Sequence, residues 1–409
     1  MRKMNIFKTL LIPTLGITAI GTIAIVSTSC KSREKNVKIT ANEDSTLKLI
    51  NFGDIHPILQ YSTDENNWQN YEEEIVIPKG TSLYFKGYNP YGWSHSDEIY
   101  SSLNIVGNVS ISGNIIGLLD NGKGTMFKIP NEYCFYKLFA DSKGISTISN
   151  DFLPTKNLAT ACYNSMFLNC TSLTSAPELP ATSLPRFCYF SMFSGCTLLA
   201  NAPKLPATYL TSGCYNSMFE NCTSLTEAPA LPATTLSPYC YSYMFGGCTS
   251  LKVVPILPAT ELAEGCYYDM FSGCASLTET PVLPAITLAN SCYSGMFYKC
   301  TNLTTVHELP ATTLMDYCYA GMFEECTSLT SAPELPATTL TDSCYESMFN
   351  NCTSLNSIKI SYTGTVADAP NGAFTSWVTG VAATGTFYYK GSDTLENFGF
   401  PTGWQKPSF

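Results

Sequence analysis

The sequence predicts an α/β solenoid of about nine repeats with a 26-residue period, preceded by a small β-sandwich domain. Three observations carry this. The unit CYNSMFLNCTSLTSAPELPATSLPRF, starting at Cys162, begins again at Cys188, Cys214, Cys240, Cys266, Cys292, Cys318 and Cys344 without insertion. Within the unit the apolar positions are constant and the polar positions between them change. Residues 37–129 follow a different rhythm, in which apolar and polar residues alternate as they do in half-buried strands.

The first 29 residues read as an export signal. Arg2, Lys3 and Lys8 precede an apolar run from Thr9 to Val26, which ends in Ser27-Thr28-Ser29-Cys30. A Cys directly after small residues resembles the lipobox of bacterial lipoproteins, in the relaxed form of mollicute proteins, with Ser27 where Leu is usual. That resemblance implies a lipid on Cys30 as the first mature residue. About 18 apolar residues could also span a bilayer as an uncleaved anchor, although Pro13, Gly16 and Gly21 interrupt the run. Both readings place the rest of the chain outside the membrane. Residues 30–36 then form a solvated tether.

In residues 37–129, Val37 to Thr40, Leu47 to Ile50, Ile58 to Ser62, Glu74 to Pro78, Ser82 to Gly87 and Leu103 to Ile111 read as short strands separated by turns. Ser62-Thr63-Asp64 with Trp68 reads as a hairpin turn. Gly117 to Gly124 is a near miss for a phosphate-binding loop, lacking the Ser or Thr after Lys123, and reads as a connection to the repeats.

A worn copy opens the array at Cys134, with Ser142 at its second Cys position. Within each unit, Cys162, Met166, Phe167 and Cys170, with Tyr163, fall on one stripe of about two helical turns. Leu173, Leu179 and their equivalents suggest a parallel strand ladder. Pro177 and its equivalents lack a donor and should break that ladder. His307 replaces this proline once, and the last copy, Leu355 to Ile360, is a cleaner strand. A single unit buries too little to order itself, so stacking must supply the core.

The pattern C-Y-x-x-M-F-x-x-C-T-S-L followed by P-x-L-P-A-T, over residues 130–361, resembles the BspA-like leucine-rich-repeat surface proteins of bacteria. The resemblance implies a curved leucine-rich-repeat solenoid, surface display, and binding to host matrix proteins, host cells or other bacteria. It offers no catalytic residues to carry over.

Of the 18 Cys, removing Cys30 leaves an odd number. On a helix the two Cys of one unit would lie about 12 Å apart, too far for a disulfide. Stacked equivalents are close enough, but their side chains point the same way. Buried thiols acting as small hydrophobes is the favoured reading, and partial pairing between units is the alternative. No C-x-x-C occurs and His56, His95 and His307 are far apart, so no metal site or cofactor is expected. Residues 362–409 break the period. Phe374, Trp377, Phe387, Tyr388, Tyr389 and Trp404 could cover the last apolar face.

Net charge is −10 and no Lys/Arg cluster follows residue 36, which excludes nucleic acid as a partner. Three scattered His and no recurrent carboxylate argue against an enzyme. The expected function is a lipid-anchored, adhesin-like binding protein on the outer face of the cell membrane, presenting variable side chains to a host protein or glycan. Candidate contacts are Asn164, Phe190, Tyr243, Tyr268, Lys299 and Glu324. The alternative is a structural or antigenic surface coat without a specific ligand.

Overall fold

The computed structural model describes residues 34–407, which form one compact unit. The export signal and Cys30 lie outside the described residues.

Strands β1 (Val37–Ala41), β2 (Ser45–Phe52), β3 (Gln60–Ser62), β4 (Gln69–Asn70), β5 (Ile75–Ile77), β6 (Ser82–Lys86), β7 (Tyr100–Val106) and β8 (Val109–Gly113) come first. They build a sheet of order β4-β3-β6-β1-β8 and a second of order β5-β2-β7. β1 and β8 alternate buried and half-buried residues, so Val37, Ile39, Val109 and Ile111 point into a core shared with Leu47, Ile77, Leu103 and Ile105. The β3–β4 turn is held by Asp64, whose carboxylate accepts from the Asn66 and Asn67 amides at 2.9 and 2.8 Å. These donors hold its pKa well below the usual carboxylate range. A 3-10 helix, Ile115–Leu118, follows β8. The loop after it is no phosphate cradle: the Asp120 carboxylate already accepts from the Lys123 and Thr125 amides at 3.1 and 2.7 Å.

The first sheet does not end at β8. It pairs in parallel with β9 (Ile145–Ile148), which lies inside the worn first copy. Ser142 shows why that copy departs from the pattern. It is fully buried, and its hydroxyl donates to the Leu103 carbonyl of β7 at 2.7 Å and accepts from the Ile105 amide at 3.2 Å. On its preceding side it faces a strand of the sheets in place of another repeat.

The expected helical turns are absent. No α-helix occurs among the described residues, and the α/β expectation is corrected to a fold of strands and turns. The stretch from Cys to Cys is a chain of consecutive β-turns. Alternate amides bond back within the unit, as Met166 N–H does to Tyr163 O at 3.2 Å. The others donate to the next unit, as the Tyr163, Ser165, Phe167 and Asn169 amides do to Cys188, Phe190, Met192 and Ser194 at 2.8–3.1 Å. Every fourth residue takes a positive φ: Ala161 (50°), Ser165 (55°) and Asn169 (57°), then Phe187, Ser191 and Gly195, and so along the array. In the turn 163–166 Ser165 is the third residue, where a type II turn requires φ > 0. Period four satisfies the same i, i+4, i+8 pattern as a helix, so the spacing alone does not separate the two. The turn form prevails because half of its hydrogen bonds join neighbouring units, so stacking supplies what a lone helix would supply to itself.

This geometry lays each constant side chain on its equivalent. Rings run in register from Phe139 through Phe167 and Phe193 to Phe349, with centroids 5.6–5.9 Å apart and planes 3–8° from parallel. A second column runs from Phe135 through Tyr163 to Tyr345 at 5.8–6.2 Å. The Cys, Met, Phe and Leu columns are buried throughout and form one core cluster with the sheets. The cysteines among the described residues are free and buried. The second thiol of each unit donates to a Phe carbonyl of the preceding copy, for example Cys196 to Phe167 at 3.2 Å and Cys248 to Phe219 at 3.0 Å. Burial pushes Cys300 and Cys248 up to about 12, so these groups stay protonated.

Beyond the second Cys the units touch through isolated parallel bridges, such as Glu227↔Val253 and Thr235↔Glu261, on either side of the proline positions. The proline-free last copy forms β10 (Ser357–Lys359), which pairs in parallel with β11 (Thr384–Tyr388), and β11 with β12 (Gly403–Gln405). Residues 370–388 repeat the unit in disguise. Gly372, Ser376 and Gly380 have positive φ at the same four-residue spacing, and the Tyr345, Ser347, Phe349 and Asn351 amides donate to Ala373, Thr375, Trp377 and Thr379. Phe374 and Trp377 end the two ring columns, backed by buried Phe387, Tyr389, Phe398, Phe400 and Trp404. Tyr388 does not join them; it is exposed.

Candidate binding groove

The variable positions do not make a uniform surface. Two of them, the third and fourth of each unit, form the outer floor of the turn face. They read Asn164-Ser165, Phe190-Ser191, Asn216-Ser217, Ser242-Tyr243 and Tyr268-Asp269, then drop to Ser294-Gly295 and Ala320-Gly321 before rising to Glu346-Ser347. The loss of side-chain volume over two successive units opens a depression of about 340 Å³. Ser294, Gly295, Ala320 and Gly321 line its floor. Tyr268 and Asp269 stand at one end and Glu346 at the other. Tyr298 and Glu324 form one wall and Tyr317 the other.

Gly295 is required by shape, whereas Gly321 has room for a Cβ. Gly295 has φ +61°, and a Cβ there would collide with the Asp269 carboxylate, which leans over it from the preceding unit. Asp269 is itself at a positive φ and almost fully buried. Burial pushes its carboxyl up to about 6, partly offset by hydrogen bonds from the Tyr243 and Tyr268 hydroxyls. Tyr243 tilts against Tyr268 with centroids 5.4 Å apart. Burial also raises the Glu324 carboxyl, whose oxygen accepts from Asn350 Nδ2 at 2.8 Å. The lining holds three carboxylates and no Lys or Arg. At its border the Lys299 ammonium lies 4.8 Å above the Tyr298 ring and 3.7 Å from the Glu325 carboxylate.

Of the six candidate contacts, the structure places Tyr268 and Glu324 in the groove and Tyr243 and Lys299 on its border. Asn164 and Phe190 lie nearer the start of the array. Asn164 accepts from Ser165 Oγ at 2.8 Å, and Phe190 packs edge-on against Phe187. Asp269, Tyr298, Tyr317 and Glu346 also line the groove and are not among those six. The sequence did carry a sign of them, in the paired Ser-Gly and Ala-Gly that interrupt the bulkier residues.

Two of the other depressions, both larger, lie outside this face. One, of about 730 Å³, is lined by Tyr61 of β3, Gln69 of β4, Ile75 of β5 and Leu83 of β6, with Glu72 from the β4–β5 connection. The other, of about 610 Å³, follows the proline positions past Val253, Ile256 and Val282 to His307. His307 Nε2 is 3.4 Å from Glu279 and its Nδ1 2.7 Å from Thr280 O. Among the described residues no group of three or more His, Cys, Asp or Glu converges as a metal site.

No curated protein matches the chain. The family model for the BspA type leucine rich repeat region does, in six copies over residues 160–295 and 267–379. The matched span runs into the disguised unit, ending at residue 379, and together the matches cover more than half of the 409 residues. The shared turn face, the ring columns and this match lead to one conclusion: the chain belongs to the BspA-type leucine-rich-repeat family.

Proposed function

We propose that this protein is a cell-surface binding protein, displayed outside the membrane on a lipid at Cys30, with its ligand seated in the groove between Tyr268 and Glu346. In this reading the repeats form a solenoid, a β-sandwich closes its first end, and the whole is a rigid binding scaffold and not an enzyme. The observation that supports it is the groove itself. An array held by invariant inward columns keeps outward positions free to vary, and here their variation concentrates tyrosines and carboxylates around an emptied floor. Tyrosine offers large contact area at low entropic cost, a hallmark of binding surfaces.

The test uses full-length protein and a Tyr298→Ala/Tyr317→Ala variant. Tyr317 is 48% exposed and neither residue belongs to the buried ring columns, so the fold should be unaffected. Binding to host cells and to immobilised matrix proteins is expected to drop at least about tenfold in the variant. Equal binding by both proteins removes the groove from the function. Cys30→Ser should release the protein from the membrane fraction, and retention in that fraction refutes the lipid anchor.

A further inference from the structure

We propose that the groove takes an extended basic segment of a partner protein, with lysine or arginine side chains seated between the tyrosine rings and the carboxylates of Glu324 and Glu346. The inference rests on the groove being the binding site, and it adds the chemical class of the ligand.

Three features point to a cation. The lining holds three carboxylates against a single bordering cation, Lys299, which acts on Glu324 and is itself engaged by Glu325, so the groove keeps a net negative charge and an entering anion would be repelled. Tyr268, Tyr298 and Tyr317 flank a floor of Ser, Gly and Ala, which leaves ring surface accessible from within the groove. A cation on a tyrosine face is attracted by the ring quadrupole, more strongly as it is desolvated. The third feature is Lys299. Its ammonium already sits 4.8 Å over Tyr298 and 3.7 Å from Glu325, so the chain's own lysine makes at the rim the contact proposed for the ligand inside.

Shape argues for an extended chain. From the unit of Tyr267 to that of Tyr345 the tyrosine column takes three steps of 5.8, 5.9 and 6.2 Å. An extended peptide rises about 3.4 Å per residue, so roughly five residues fit along the groove. With side chains alternating, two or three basic residues would face the floor. A small cation would satisfy only one end.

The test is fluorescence anisotropy with labelled octalysine and labelled octaglutamate, on the full-length protein in detergent micelles. Two variants separate the groove from general charge. Glu324→Gln/Glu346→Gln removes two groove carboxylates. Glu178→Gln/Glu308→Gln removes the same net charge from exposed residues outside the groove lining. The expected result is octalysine binding that weakens at least about tenfold in the groove variant, stays within about twofold in the control variant, and is absent for octaglutamate. Equal weakening in both variants means that net charge alone attracts the peptide, and overturns the proposal. No octalysine binding also overturns it. The broader function would then still stand if Tyr298→Ala/Tyr317→Ala abolished binding to host surfaces.

Discussion

Gly273→Ala separates a turn face from a helical one by the sign of its effect. In a solvent-facing helix, replacing Gly by Ala stabilises by about 1 kcal/mol. Gly273 instead has φ +72°. Its added Cβ would meet nothing nearer than the Gly247 backbone at 3.6 Å, an ordinary contact, so the effect is purely conformational. Holding a residue with a Cβ in the left-handed region costs about 1–2 kcal/mol. The variant should therefore unfold at lower urea concentration by that amount, read from circular dichroism with m unchanged. Gly213→Ala should lose more, because its Cβ would also collide with the Phe187 ring. Adding Phe187→Ala should restore the excess, which a double-mutant cycle measures. A gain of stability in Gly273→Ala, or no change, would refute the turn assignment.

Other outcomes follow from the same packing. Phe245→Ala, with its ring between Phe219 and Phe271 at 5.8 and 5.6 Å, should cost about 3–5 kcal/mol in the same unfolding assay; a loss under about 1 kcal/mol contradicts a shared interior. The repeat thiols, protonated and buried, should resist Ellman's reagent in the native protein and react in urea; rapid reaction of native thiols would show that the columns are open. The left-handed columns alternate large and small: the side chains of Asn169, Phe187, Asn221 and Tyr239 lean onto Gly195, Gly213, Gly247 and Gly265 of the following units. Deleting residues 188–213 would set Phe187 on Tyr239 and Asn169 on Asn221, whereas deleting 188–239 restores a glycine under each. The longer deletion should therefore melt higher than the shorter, and the reverse order would show that the units are interchangeable. Finally, Asp269 titrates near pH 6 in the fold against about 3.9 in an unfolded chain. Its raised value means no penalty below pH 4 and one that grows as pH climbs to about 6 and then levels off, so Asp269→Asn should gain stability relative to wild type over that window. Parallel stability profiles from pH 4 to 7 would remove the carboxylate from its buried place.

The sequence by itself determined the period, the inward columns, the broken ladder at the prolines and the membership of the family. All of these follow from which positions stay apolar, and a repeat states that many times over. It did not determine the backbone form of the Cys-to-Cys stretch. A helix and a chain of four-residue turns share their spacing, and only the amides of Tyr163, Ser165, Phe167 and Asn169 bonding to the next copy decide between them. Nor did it show the terminal copy near Phe374, where a 29-residue step and the loss of both Cys hide the unit, although Gly372, Ser376 and Gly380 keep its φ pattern. The groove was half legible. Tyr268 and Glu324 stood out as variable residues, but a depression is made by what neighbouring units lack. Tertiary structure alone could decide that, because Gly295 and Gly321 become a floor only when Tyr298, Tyr317 and Asp269 from adjacent turns stand around them.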